Sequence, residues 1–185
     1  MTETTTSTEH LLTRTVQQGW FGRFQVAALV LLTLVAIVGK FYLPRLVPHT
    51  EWLELPLLLT VYFGLMRQSQ IQALLFGAFV GLAEDSLSPA TLHPIGMYGI
   101  TKTLVGYFAA SVSTRFNVEN SVIRVVLCFF FYCFHAFFYW IMRRALLAQV
   151  IPFDLQETLV NGGLNSLISI PLFLILDRMK VSGAS

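Results

Sequence analysis

Apolar residues come along this chain in long runs separated by short polar breaks. Crossing the hydrocarbon of a bilayer as a helix takes about 20 consecutive apolar residues, in a range of roughly 17–25. Six stretches reach or approach that length. The first runs from about Phe24 to Leu43, with Trp20, Phe21 and Arg23 before it as interface anchors and Lys40, Tyr42, Pro44 and Arg45 at its far end. Two short ones follow, from about Leu53 to Met66 and from about Ile71 to Ala83. Only Arg67, Gln68, Ser69 and Gln70 separate them, which predicts an antiparallel helical hairpin. The fourth runs from about Ile95 to Val112, the fifth, densely aromatic, from about Val122 to Met142, and the sixth from about Leu159 to Leu176, closed by Asp177, Arg178 and Lys180. The pattern predicts an all-α, polytopic membrane protein, a six-transmembrane-helix bundle over residues 20–178. A polar N-terminal tail over 1–19 and a short C-terminal tail over 179–185 flank it.

Composition agrees. The chain has 185 residues, 55% hydrophobic and 12% charged, with a mean hydropathy of +0.68. Soluble domains carry roughly 25% charged residues. Half that charge leaves too little polar surface to coat a globule in water, and a lipid-facing surface removes the difficulty. A net charge of +2 with no basic cluster does not suggest a nucleic-acid binder. Cys128 and Cys133 lie five apart in one apolar run, on different faces of a helix, so they read as unbridged small hydrophobes. The Thr-rich start lacks a basic region leading to a small-residue cleavage site, so it reads as a tail and not as a cleaved signal peptide.

Loop cations set the orientation. One side holds Arg14, Arg23, Arg67, Arg115, Arg124, Arg178 and Lys180, and the other holds Arg45, Arg143 and Arg144. Seven against three predicts both termini in the cytoplasm.

The most polar intramembrane neighbourhood is Gly81-Leu82-Ala83-Glu84-Asp85-Ser86-Leu87-Ser88, and the next span carries Lys102, roughly 10 Å into the membrane at 1.5 Å per residue. An intramembrane charge is paired or faces a cavity. Glu84 and Asp85 are both candidate partners for Lys102. Either these residues form a site for a ligand or partner, or they lock two helices as an ion pair, or Lys102 snorkels to the surface. Gly77 and Gly81 form a small-xxx-small pattern that allows close approach of another helix. Read as a partner interface, that face predicts that Gly77→Leu weakens complex formation without unfolding the bundle. His135, among Phe130, Phe134 and Phe138, reads as a packed, hydrogen-bonded residue, and the aromatic run as a lipid- or partner-facing surface. Asn161 and Asn165, one turn apart, are placed to hydrogen-bond across helices. No phosphate-binding loop, nucleophile elbow, zinc-binding helix or dinucleotide turn occurs, so neither catalysis nor a cofactor or metal is indicated.

The stretch Gly81-Leu82-Ala83-Glu84-Asp85-Ser86-Leu87-Ser88-Pro89, followed by Ile95-Gly96-Met97-Tyr98-Gly99-Ile100-Thr101-Lys102-Thr103-Leu104-Val105-Gly106-Tyr107, resembles the rod shape-determining MreD family. That family has a Gly-Leu-x-x-Asp turn followed by Leu and Ser after its third span, then a fourth span with a Val-Gly/Ala-Tyr segment. Asp85 matches the acidic position, and Gly81, Leu87, Gly96, Val105 and Tyr107 match by order and type. Pro89, His93 and Pro94 stand where many members are richer in glycine, and Lys102 is not a residue the family pattern requires. The resemblance implies a non-enzymatic subunit of the elongasome in the bacterial inner membrane. It would bind MreC, a single-span protein with a periplasmic coiled coil, and through it serve the RodA–penicillin-binding transpeptidase pair and, indirectly, MreB. It also implies a fold similar to the S-components of energy-coupling-factor transporters. A vitamin-binding S-component is the alternative function, with Glu84, Asp85, Lys102, Asn161 and Asn165 lining a pocket. A third is an ion or proton carrier working through Glu84, Asp85 and Lys102.

Overall fold

The computed structural model describes residues 27–48, 50–67, 69–88, 96–148 and 150–182, the last four by backbone alone. Six helices account for them: α1 (Ala27–Leu46), α2 (Leu55–Arg67), α3 (Gln70–Leu87), α4 (Met97–Ser113), α5 (Ser121–Leu147) and α6 (Leu155–Ser182). The described elements are all helices, as the apolar runs predict. Three helices, α1, α5 and α6, are long and apolar enough to cross a membrane. The expected tail over 1–19 and the anchors Trp20, Phe21 and Arg23 lie outside the described residues, as do Pro89, His93 and Pro94.

Helix ends run past the apolar runs by a few residues. The expected third span stops at Ala83, but α3 continues to Leu87, which brings Glu84 and Asp85 into its last turn. Likewise α5 continues to Leu147, ending where Ala148 turns left-handed with φ 50°. A helix stops where its backbone is capped, not where hydrophobicity ends. At its start Asn120 accepts the Val122 N–H at 2.9 Å, an N-cap.

The short helix α2 is the centre of the molecule. Every residue from Pro56 to Leu65 is buried. A helix apolar all round is buried all round. Its 13 residues make about 20 Å, less than the roughly 30 Å of a hydrocarbon core. Leu57, Leu58, Val61, Tyr62 and Leu65 pack with Val105 and Ala109 of α4, Phe131 and Tyr132 of α5, and Phe173 and Leu176 of α6.

The tightest pair is α3 against α4, and glycine makes it so. A Cβ at Gly77 would enter the Lys102 carbonyl, one at Gly81 the Tyr98 carbonyl, and one at Gly106 the Ala73 carbonyl. The contacts step by four residues along both helices in opposite directions, so one antiparallel ridge carries the whole crossing. This corrects the reading of the Gly77–Gly81 face as a partner surface, since α4 of the same chain occupies it. Leucine at Gly77 is therefore expected to disturb the bundle itself.

Buried hydroxyls find acceptors inside their own helices. Thr33 donates to the Leu29 carbonyl at 2.7 Å, Thr60 to Pro56 at 2.9 Å and Thr101 to Met97 at 2.7 Å. This suits an environment without water, where every polar group must be satisfied internally.

Candidate functional site

Four charged side chains meet near one end of the helices. Lys40 comes from the last two turns of α1, Glu54 from the residue before α2, Glu84 from the last turn of α3, and Lys102 from the second turn of α4. Lys40 Nζ donates to Glu54 at 2.5 Å and also to Glu84. Lys102 Nζ donates to Glu84 and lies 3.7 Å from Glu54 Oε2. Each lysine thus faces both carboxylates and each carboxylate both lysines. The result is a closed quartet of alternating sign and zero net charge. Lys102 and Glu84 are 0% exposed, and the side chains of Lys40 and Glu54 only 13% and 14%.

Local structure explains why the four converge. The α3–α4 ridge sets the Lys102 backbone against Gly77, and the antiparallel register brings the start of α4 beside the end of α3. Asn165 of α6 fixes the approach to α2. Its side-chain oxygen accepts the Glu54 N–H at 2.9 Å, and its amide donates to the Trp52 carbonyl at 2.6 Å and to the Asn161 carbonyl at 2.9 Å. Asn165 thus bonds across elements, while Asn161 takes part through its backbone.

Asp85 does not pair with Lys102. Its carboxylate turns to the start of α4 and accepts three backbone N–H groups, from Gly96 at 3.0 Å, Tyr98 at 3.2 Å and Gly99 at 2.9 Å. Gly96, with φ 105°, makes the turn. A carboxylate on the free N–H groups of a helix start is favoured by hydrogen bonding and by the helix dipole. The acidic neighbours therefore divide the work, Glu84 compensating lysine and Asp85 capping α4.

Aromatic rings line the quartet. The Tyr98 ring lies 4.6 Å from Lys40 Nζ and 5.2 Å from Lys102 Nζ, within cation–π range. It stacks on Tyr139 at 4.9 Å and on His135 at 6.2 Å. His135 is buried by these rings, as expected, but its Nε2 has no hydrogen-bond partner among the described residues. A second polar lock closes the opposite end, where Asp177 accepts from Tyr62 at 2.9 Å and from Arg124 at 2.5 Å.

The sequence-derived residues fall into two groups. Glu84, Asp85, Lys102, Gly77 and Gly81 gather at the α3–α4 crossing, and Lys40, which the sequence offers only as a flanking charge, and Glu54, which it does not single out, complete the quartet. Tyr107 stands exposed, away from it. Phe130, Phe134 and Phe138 form a stacked ladder along α5 at 6.5 and 5.9 Å, and Phe108 of α4 meets Phe134 edge-on. Phe130 is 54% exposed. Cys128 and Cys133 are free thiols, the first buried and the second half-buried.

No family model, no curated protein and no solved structure matches the chain. No group of three or more His, Cys, Asp or Glu side chains is gathered to hold a metal among the described residues. Both carboxylates of the quartet are taken by ammonium groups, an arrangement that locks helices together.

Proposed function

We propose that this chain is a six-span protein of the bacterial inner membrane and a non-enzymatic scaffold of the elongasome. It would bind the single span of MreC and support the RodA–transpeptidase pair in lateral peptidoglycan synthesis, with MreB reached indirectly. The observation that carries the scaffold reading is the contrast between inside and outside. The interior charges are closed on one another in the quartet, while large apolar side chains stay exposed along α5 and α6, among them Phe130, Phe137, Leu164, Leu167 and Leu174. A surface of that kind meets lipid and other transmembrane helices. The family proposed here rests on the resemblance of the stretch from Gly81 to Tyr107 to MreD. With both termini in the cytoplasm, as seven loop cations against three favour, the quartet belongs to the outer end of the bundle.

Photo-crosslinking tests the surface. A benzoyl-phenylalanine at position 130 is expected to capture MreC, and one at position 57, inside the core, to capture nothing outside the chain. Equal capture from both positions, or lipid adducts alone from position 130, would overturn the assignment of α5 as the partner face.

One observation favours a second reading, the vitamin-binding S-component. Glu54 Oε2 and His135 Nε2 are buried polar atoms without hydrogen-bond partners among the described residues, groups that a bound polar ligand could satisfy. A stoichiometric vitamin in the purified protein would decide for it.

A further inference from the structure

Two arginines stand at one level of the bundle. Tyr139 of α5 stacks on Tyr98 at 4.9 Å, and the Tyr98 ring lies 4.6 Å from Lys40 Nζ of α1, so Tyr139 and Lys40 mark the same height. Both helices then run on to their C-terminal ends. Arg45 follows Lys40 by five residues and Arg144 follows Tyr139 by five, which at 1.5 Å per residue sets both about 7.5 Å beyond the quartet. Both arginines are exposed. Each lies over an aromatic ring one turn back on its own helix: Arg45 Cζ is 5.3 Å from the Tyr42 ring centre, and Arg144 Cζ 5.7 Å from that of Trp140. The Trp140 platform is fixed, because its indole N–H donates to the Ile151 carbonyl at 2.8 Å and its ring packs on Phe137 and Phe153.

A ring contact takes the face of a guanidinium and leaves the five N–H groups in its plane for other partners. Among the described residues no carboxylate pairs with Arg45 or Arg144, although Glu51, Asp154 and Glu157 share this end of the molecule. A helix C-terminus favours a nearby cation but leaves those N–H groups unused. Below each arginine the same helix face is apolar and exposed, with Val35, Val38 and Tyr42 on α1 and Phe130 and Phe137 on α5. A cation and an aromatic ring above an apolar helix face stand where lipid headgroups meet acyl chains. The acceptor that matches a guanidinium fork at that level is a phosphodiester. An anionic lipid fits better than a zwitterionic one, whose own cation competes with the arginine for the phosphate.

We propose that Arg45 with Tyr42, and Arg144 with Trp140, each hold the phosphodiester headgroup of an anionic phospholipid in the leaflet at the quartet end. The proposal rests on α1 and α5 spanning the membrane and not on the scaffold reading. Arg144 lies 14 residues, roughly 21 Å, along α5 from Phe130, so a lipid headgroup there leaves that part of the helix open to a partner.

The full-length protein in mild detergent is titrated with phosphatidylglycerol or phosphatidylcholine of the same acyl chains, and bound lipids are counted by native mass spectrometry. The parent is expected to bind phosphatidylglycerol more tightly than phosphatidylcholine. Arg45→Gln and Arg144→Gln should each weaken one phosphatidylglycerol site about fivefold, while Arg115→Gln, exposed at the opposite end, leaves both sites unchanged. A second readout needs no arginine variant. Trp20→Phe and Trp52→Phe leave Trp140 as the single indole. In nanodiscs its fluorescence should be quenched more by dibrominated phosphatidylglycerol than by dibrominated phosphatidylcholine at the same mole fraction. Equal binding of the two lipids by the parent, equal quenching by them, or unchanged phosphatidylglycerol binding in a folded Arg45→Gln, Arg144→Gln double variant would overturn the proposal.

Discussion

Lys102→Met is the most informative perturbation of the quartet. It keeps the length of the aliphatic stem and removes the ammonium group, leaving Glu54 and Glu84 to share Lys40 alone. The interior then carries one uncompensated negative charge at a position that is 0% exposed. Breaking a buried ion pair from one side costs about 3–5 kcal/mol, because the remaining partner is stranded away from water. With about 2–4 °C per kcal/mol for a chain of this size, the unfolding temperature should fall by roughly 6–20 °C. Adding Glu84→Gln removes the stranded charge and leaves Lys40 with Glu54 at 2.5 Å as a neutral pair. The double variant should therefore be more stable than Lys102→Met, even though it carries one more substitution. Arg115→Met, at an exposed position, serves as control and should stay within about 0.5 kcal/mol of the parent. The assay is thermal unfolding in detergent, read as loss of the monodisperse peak on size exclusion. If Lys102→Met matches the parent, or if the double variant falls by the sum of the two single effects, the quartet does not act as a coupled charge ring.

Other consequences can be checked in the same protein. Gly77→Leu drives a side chain into the Lys102 carbonyl and should destabilise the bundle by at least about 1–3 kcal/mol, whereas Gly39→Ala, where a Cβ meets nothing within 4 Å, should leave it unchanged or raise stability by up to about 1 kcal/mol. Asp85→Asn keeps the shape but loses the charge on three N–H groups. It should accelerate hydrogen exchange at Gly96, Tyr98 and Gly99 while α5 and α6 exchange as before. Phe130→Ala, at an exposed rung of the ladder, should leave the unfolding temperature within about 1–2 °C of the parent and lower recovery of MreC, read by quantitative mass spectrometry.

The helices were legible in the sequence because each is a run of apolar residues between short polar breaks, and α2 and α3 as neighbours because only residues 68–69 separate them. Lys102 with an acidic partner was legible from the cost of a lone charge in such a run. Its choice of Glu84 over Asp85 was not: adjacent residues point about 100° apart on a helix, and only the position of α4 decides which faces the lysine. Lys40 and Glu54 do not stand out in the sequence because each sits at the edge of an apolar run, a place where charges usually reach for water. Their meeting depends on how the α1–α2 connection folds back, which no local pattern encodes. The Gly77–Gly81 pattern announces a close helix contact without saying whether the other helix belongs to the same chain. His135 was expected to be hydrogen-bonded, and its burial beside the stacked Tyr98–Tyr139 pair, with no hydrogen-bond partner for Nε2 among the described residues, needs the three-dimensional packing to be seen.

Co-purification addresses the scaffold assignment most directly. The tagged chain is expressed with MreC and the RodA–transpeptidase pair of its own host, extracted in mild detergent, and its eluate quantified by mass spectrometry. The account predicts MreC at fixed stoichiometry with the parent and less of it with Phe130→Ala. Absence of MreC, with a vitamin or an ATPase module bound instead, would contradict it.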